Sequence, residues 1–172
     1  MTTNEIITTL ISKFRDPSID IRHDAVMNLA ACGTRAVAPL VKAMQEATDS
    51  DTRWYAATAL ARIGEPAVTP LLAAMNKDRN RDFRKYAAAA LGGIGAPAIE
   101  PIIEAMAVDD RELRGFLSLA LCRIGTPAIG PLTRCLESND EMIKSCAALT
   151  LWQMGEEGLN AVIQKVQQEK TE

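Results

Sequence analysis

Catalysis or cofactor chemistry in this chain of 172 residues would have to come from one histidine, four cysteines, one glycine-rich run and the carboxylates. His23 and Cys32 are the nearest thiol–imidazole pair. On one helix, nine residues separate them by about 13 Å along the axis, beyond hydrogen-bond reach. Cys122, Cys135 and Cys146 show neither CxxC spacing nor a histidine nearby, so neither a zinc site nor a redox pair is indicated. All four cysteines read as reduced thiols packing as small hydrophobes, as in a cytoplasmic protein. Gly92-Gly93-Ile94-Gly95 would cradle a phosphate if it followed a strand and opened a helix; it closes a helical pattern instead. The carboxylates gather in turns, where solvation accounts for them. The reading is of no catalytic residue, no metal ligand set and no cofactor.

What remains is binding chemistry, carried by the few aromatics and the arginines near them. Where they point depends on the elements that hold them, and those elements repeat. Gly33, Gly64, Gly95, Gly125 and Gly155 stand 31, 31, 30 and 30 residues apart. Eleven residues before each stand Arg22, Arg53, Arg84, Arg114 and Lys144. Eight before stand Ala25, Ala56, Ala87, Leu117 and Ala147, and four before stand Leu29, Leu60, Leu91, Leu121 and Leu151. Six after stand Pro39, Pro70, Pro101, Pro131 and finally Ala161. Such self-similarity at a fixed period is the signature of a repeat architecture.

Each unit reads as two helices. Val37, Leu40, Val41 and Met44 are spaced as one face of the first helix; Phe83, Ala87, Leu91 and Ile94 stripe the second. The glycine is expected to end the second helix in a left-handed cap. Pro66, Pro97 and Pro127 follow two residues later, where a missing N–H is harmless. Pro39, Pro70, Pro101 and Pro131 either fall among the first-turn donors or bend the helix. Asp20 is a candidate N-cap for the helix carrying Arg22. Residues 156–170 have lost both prolines and gained polar residues, which suits a C-terminal capping helix; residues 168–172 are expected to fray.

Short helix pairs bury their stripes only by stacking. Ile94-Gly95-Ala96-Pro97-Ala98-Ile99 and Arg53-Trp54-Tyr55-Ala56-Ala57 resemble HEAT repeats, in the short form of the phycobilisome-lyase-type HEAT-like repeats, and the likeness spans residues 3 to about 168. It implies an all-α fold: an α-α superhelix, a HEAT-like or armadillo-like solenoid of about five helix pairs plus the cap, as a single domain over 1–172. It further implies that the second helices line a concave face. The Arg column would then sit at helix starts beside Asp20, Asp51, Asp82 and Glu112, as a ladder of Asp–Arg contacts between adjacent repeats. Iron-dependent hydroxylases built from HEAT repeats need paired His-Glu motifs; His23 is followed by Asp24 and has no second histidine.

On a helical wheel at 100° per residue, the core stripe lies 12, 8, 4 and 1 residues before each glycine. The position ten before points away from the core, six and two before also point outward, and nine before lies on the flank. The outward set includes His23, Trp54 and Lys85, Leu119, Arg62 and Arg123; the flank carries Tyr55, Tyr86 and Phe116. Exposed aromatics beside arginines are the composition of a protein-binding hot spot. The three flank aromatics either join that surface or pack against the next repeat. Trp152, beside the cap, is expected to pack.

Aromatics are only 4% of residues and the net charge is −3, with a pI near 5.3, against the basic footprint of a nucleic-acid binder. MTTNEIITTL lacks the basic and apolar regions of a signal peptide, and the most apolar stretch, 86–103, is broken by Gly and Pro, so no membrane span is expected. The function that follows is a non-catalytic scaffold binding a helix or extended segment of another protein on its concave face, at His23, Trp54, Tyr55, Arg62, Lys85, Tyr86, Phe116, Leu119 and Arg123. The alternative is a bilin-lyase-like or tetrapyrrole-handling protein, which the aromatic-rich segment at Arg53 resembles. The register has a direct consequence. Leu91→Asp puts an unpaired charge into the core of the middle repeat and should abolish cooperative melting by circular dichroism; a wild-type melt would refute the register.

Overall fold

The structure, a computed structural model, describes residues 2–169. Among them are eleven α-helices and no strand: α1 (Thr3–Ser12), α2 (Ile19–Ala31), α3 (Thr34–Glu46), α4 (Ser50–Ile63), α5 (Val68–Lys77), α6 (Arg81–Ile94), α7 (Ile99–Ala105), α8 (Arg111–Ile124), α9 (Ile129–Cys135), α10 (Glu141–Gln153) and α11 (Glu156–Glu169). The fold is the all-helical repeat architecture of helix pairs, five of them followed by α11. Of the fraying expected over residues 168–172, and of the cap expected to end at 170, residues 170–172 lie outside the described residues; α11 is helical through Glu169, so 168 and 169 are helical.

The chain divides into two compact units, residues 1–94 and 95–172. In the first, α2, α4 and α6 pack side by side as one layer, and α1, α3 and α5 form the other. Its core is made by Ile7, Phe14, Leu29, Leu40, Met44, Leu60, Leu71, Met75, Phe83 and Leu91, all fully buried. In the second, α8 and α10 neighbour each other, α7 and α9 back them, and α11 lies on α9 and α10. Ile102, Met106, Leu117, Leu121, Leu132 and Leu151 fill that core.

The residue two after the glycine decides where the second proline falls. Where Pro66, Pro97 and Pro127 stand there, a 3-10 turn precedes the helix, and Pro70, Pro101 and Pro131 fall at its third residue, among donors that need no partner. Where Arg35 stands instead, α3 runs unbroken from Thr34 and takes Pro39 into its interior.

The helix starts follow side-chain capping. Asp49 accepts from the Thr52 amide, Asp110 from Leu113, and Asp140 from Met142 and Ile143. Burial would raise the Asp49 carboxyl, but the Thr52 amide and hydroxyl and the Arg15 guanidinium outweigh it and hold it below its usual value. Asp20 is not the cap of α2: Asp16 accepts from the Ser18 amide, the helix starts there, and Asp20 falls in its first turn.

The repeat glycines depart from the expected left-handed cap. Gly64, Gly95 and Gly125 have φ of 82, 83 and 77° with ψ of −142, −141 and −142°, and Gly33 is close to them. That is the mirror image of extended backbone, a region closed to side chains, and not the helical left-handed region that Asn visits. Two other glycines serve close approach. A Cβ on Gly93 would stand 2.9 Å from the Ala61 Cβ, and one on Gly158 would stand 2.0 Å from the Leu151 carbonyl oxygen. So α11 meets α10 backbone to backbone. α11 leaves Leu159, Ile163 and Val166 exposed beside the exposed polar residues Glu156, Glu157, Asn160 and Gln164.

The glycine geometry is testable at Gly125, where added atoms would meet nothing within 4 Å. Gly125→Ala and Gly125→Asn should each destabilise by about 1–3 kcal/mol through backbone strain alone, read from urea melts. A left-handed cap would tolerate Asn, so near-wild-type stability of Gly125→Asn would overturn this assignment.

Candidate functional site

The charged column is the first candidate, and its geometry is structural. Each member is the fourth residue of its helix. In the interior repeats it folds back onto the turn six residues earlier: Arg53 donates to the Ala47 carbonyl, Arg84 to Asp78 at 2.8 Å, and Arg114 to Val108 at 2.6 Å. Arg84 also donates to the Met75 carbonyl at 3.0 Å and is only 1% exposed. The expected ladder has two rungs in the first unit, Arg22–Asp51 at 3.5 Å and Arg53–Asp82 at 3.9 Å. Lys144 pairs instead within its own helix, with Glu141. These guanidiniums are occupied by backbone, so the column is not a charged ligand site.

The outward face of the first unit is built on α2, α4 and α6. His23, Trp54, Lys85 and Arg62 are exposed, Trp54 by 54%. Tyr55 is buried, at 8%. Its ring stacks on Phe14 at 5.7 Å, lies under the Arg22 guanidinium at 5.4 Å, and meets the Trp54 ring edge-on at 4.8 Å. Tyr55 is therefore a buttress that fixes Trp54 and not part of the contact surface. Tyr86 is half-buried, with the Lys85 ammonium 5.7 Å over its ring.

In the second unit Leu119 and Arg123 are exposed on α8, while Phe116 is buried at 9% and packs. Trp152, expected to pack, is 63% exposed. A groove of about 320 Å³ runs between α8 and α10, walled by Met106, Met142, Cys146 and Leu149, with Arg111 and Arg114 among its lining residues. Ser118 and Thr150 lie 2.9 Å apart beneath it, and Ser118 donates to Gln153 Oε1 at 2.7 Å. Gly115 and Ser145 occupy the positions that Trp54 and Lys85 fill in the other unit. The sequence signal for the groove was this pair of small residues at an outward position.

The model of the HEAT repeats family matches residues 7–92 and 68–151. The chain belongs to the HEAT-repeat family. A comparison with curated proteins gives no match. Solved structures similar to it include an engineered protein from the Northeast Structural Genomics Consortium, 21% identical over 97% of this chain and 87% of that one, TM-score 0.39. A designed armadillo repeat protein in complex with the peptide (KR)4 is 16% identical over 92% and 87%, TM-score 0.36. A computationally designed armadillo repeat protein for modular peptide recognition is 16% identical over 96% and 92%, TM-score 0.34.

In this HEAT-repeat protein burial pushes the Cys122, Cys135 and Cys146 thiols up, away from the nucleophilic thiolate. Among the described residues no three His, Cys, Asp or Glu side chains gather as a metal site. No single described helix is long and apolar enough to cross a membrane; α8 with Thr126–Cys135 is apolar enough only as a pair, and that pair bends by 116°.

The assignment of the arginine column predicts the effect of Arg84→Met. Two carbonyls lose a charged donor in a site closed to water, which should cost on the order of 3 kcal/mol of stability. Arg84→Lys should recover little of it, since an ammonium lacks the planar fork. Thermal melts unchanged in both variants would return the column to ligand binding.

Proposed function

We propose that this HEAT-repeat protein is a non-catalytic scaffold that binds a helix or extended segment of another protein on the face formed by its second helices, the face expected to be concave. The observation that carries the reading is where apolar surface is left open. On the second helices the exposed large hydrophobics are Ile19, Ile21, Met27, Trp54, Leu119, Met142, Leu149 and Trp152. The first helices α3, α5, α7 and α9 leave none exposed and α1 leaves Ile6; α11 adds Leu159, Ile163 and Val166. Scattered apolar residues need no explanation, but their concentration on the second helices does. Arg62, Arg123, His23 and Lys85 supply the polar part of that surface, with Tyr86 at its margin. The free, half-buried thiols fit a reducing compartment such as the cytoplasm.

The phycobilisome-lyase-type reading rests on the segment Arg53-Trp54-Tyr55-Ala56-Ala57. Of these residues only Trp54 reaches solvent, so the segment offers a pigment one ring and no exposed charge.

The test is capture from source-cell lysate by the wild type, a triple variant of the second helices and a double variant of the first helices. Replacing Trp54, Leu119 and Leu149 by Ala should release the captured protein while leaving helical content and melting unchanged. Replacing the exposed first-helix residues Lys42 and Glu104 by Ala should release nothing. The reverse pattern would move the binding face to the first helices, and a coloured eluate would favour the tetrapyrrole reading.

A further inference from the structure

We propose that the groove between α8 and α10 is the docking site for an acidic amphipathic peptide segment, one that places a large apolar side chain and a carboxylate one helical turn apart. The inference rests on the protein-binding reading above and names the partner's chemistry.

The apolar half follows from the groove's floor. Gly115 is exposed, and a Cβ built on it would meet nothing within 4 Å. The position that carries Trp54 in the first unit is here an opening. Met142 and Leu149, both left exposed, wall that opening with Met106 and Cys146. Methionines adapt to the shape of an inserted side chain. At about 320 Å³ the space is at the lower end of ligand sites, about 300–1,000 Å³, which suits one or two side chains of a segment lying across it.

The acidic half follows from charge. The chain has a net charge of −3, yet the groove is lined by Arg111 and Arg114 and by no carboxylate. Of the neighbouring acids, Asp110 caps α8, Asp140 caps α10 and Glu141 pairs with Lys144. Arg114 is committed to the Val108 carbonyl. Arg111 is exposed and forms no ion pair among the described residues, so its five donors are open to a carboxylate. Arg111 and Gly115 are separated by four residues, about 6 Å of helix. An apolar residue and a carboxylate three or four apart on a bound helix span that distance, as do residues two apart on an extended segment.

A phage-displayed random peptide library selected on the full chain tests this. Enriched peptides are synthesised and titrated by fluorescence anisotropy against the wild type, Gly115→Leu, Arg111→Glu and Trp54→Ala. Enrichment of a large apolar residue with Asp or Glu at such spacing is expected. Gly115→Leu fills the groove while improving helix propensity, so it should abolish binding with an unchanged or raised melting temperature. Arg111→Glu should weaken binding about tenfold, the scale of one charge-assisted hydrogen bond, and a peptide with its acid changed to Lys should regain it. Basic peptides, or acidic ones indifferent to Gly115→Leu and Arg111→Glu, would overturn the proposal. Peptides lost only with Trp54→Ala would overturn it too, while leaving the scaffold reading in place; no enriched peptide at all would count against both.

Discussion

The bond from the fourth residue of the three interior second helices to the carbonyl six residues earlier sets the geometry on which the rest depends. A turn between two short helices leaves carbonyls of the first helix without donors, and burying them unsatisfied is costly. Arg53, Arg84 and Arg114 solve this in the same way in three successive repeats. The guanidinium reaches across the turn, so the end of the first helix is held at a fixed distance from the start of the second. Only a long side chain with several donors in a plane can do this from within the helix. With that turn fixed in three successive pairs, those pairs can stack on one another in the same way. Arg22 and Lys144 stand in the outer repeats and turn to Asp51 and Glu141 instead.

The second constraint is the glycine that joins one pair to the next. Its mirror-extended backbone turns the chain back with one residue, and Ala67, Ala98 and Ala128 are then buried just beyond it. A residue able to cap in the left-handed region would not send the chain in that direction. The arginine fixes geometry within a pair and the glycine fixes it between pairs. Both are backbone requirements, which is why they recur at a constant period while surface residues do not.

That difference explains what was legible in the sequence. Helix positions, the core stripe and the outward columns all follow from residues that repeat, and the structure places His23, Trp54, Lys85, Arg62, Leu119 and Arg123 on the exposed side accordingly. The flank was harder, because at nine residues before the glycine a side chain is 100° from full exposure, and neighbouring contacts decide its fate. Phe14, which belongs to the turn of the first pair, covers Tyr55; nothing in the period announces that. Trp152 is exposed although it stands next to α11 in sequence, and the close approach of Gly158 to the Leu151 carbonyl is met at no other described glycine. Asp20 lost the cap to an Asx turn two residues upstream, a choice made by the local sequence Asp16-Pro17-Ser18 alone. Singular contacts leave no periodic trace.

The surface is therefore best understood as a set of departures from a common unit. Repeat packing fixes the backbone at the outward position, and it asks nothing of the side chain there. Trp54 and Gly115 occupy equivalent places on equivalent helices, yet one projects an indole into solvent and the other opens a groove. Neither choice follows from stability: an exposed Trp adds little to folding, and a glycine inside a helix costs about 1 kcal/mol relative to Ala. A residue that opposes local stability while the backbone around it is otherwise conventional is the kind of inconsistency expected at functional sites. Gly115 meets that description more sharply than Trp54 does, because nothing packs where its Cβ would be. The packing of the repeat thus explains the buried residues of α8, and it leaves the exposed Gly115, which lines the groove, to be explained by what the groove holds.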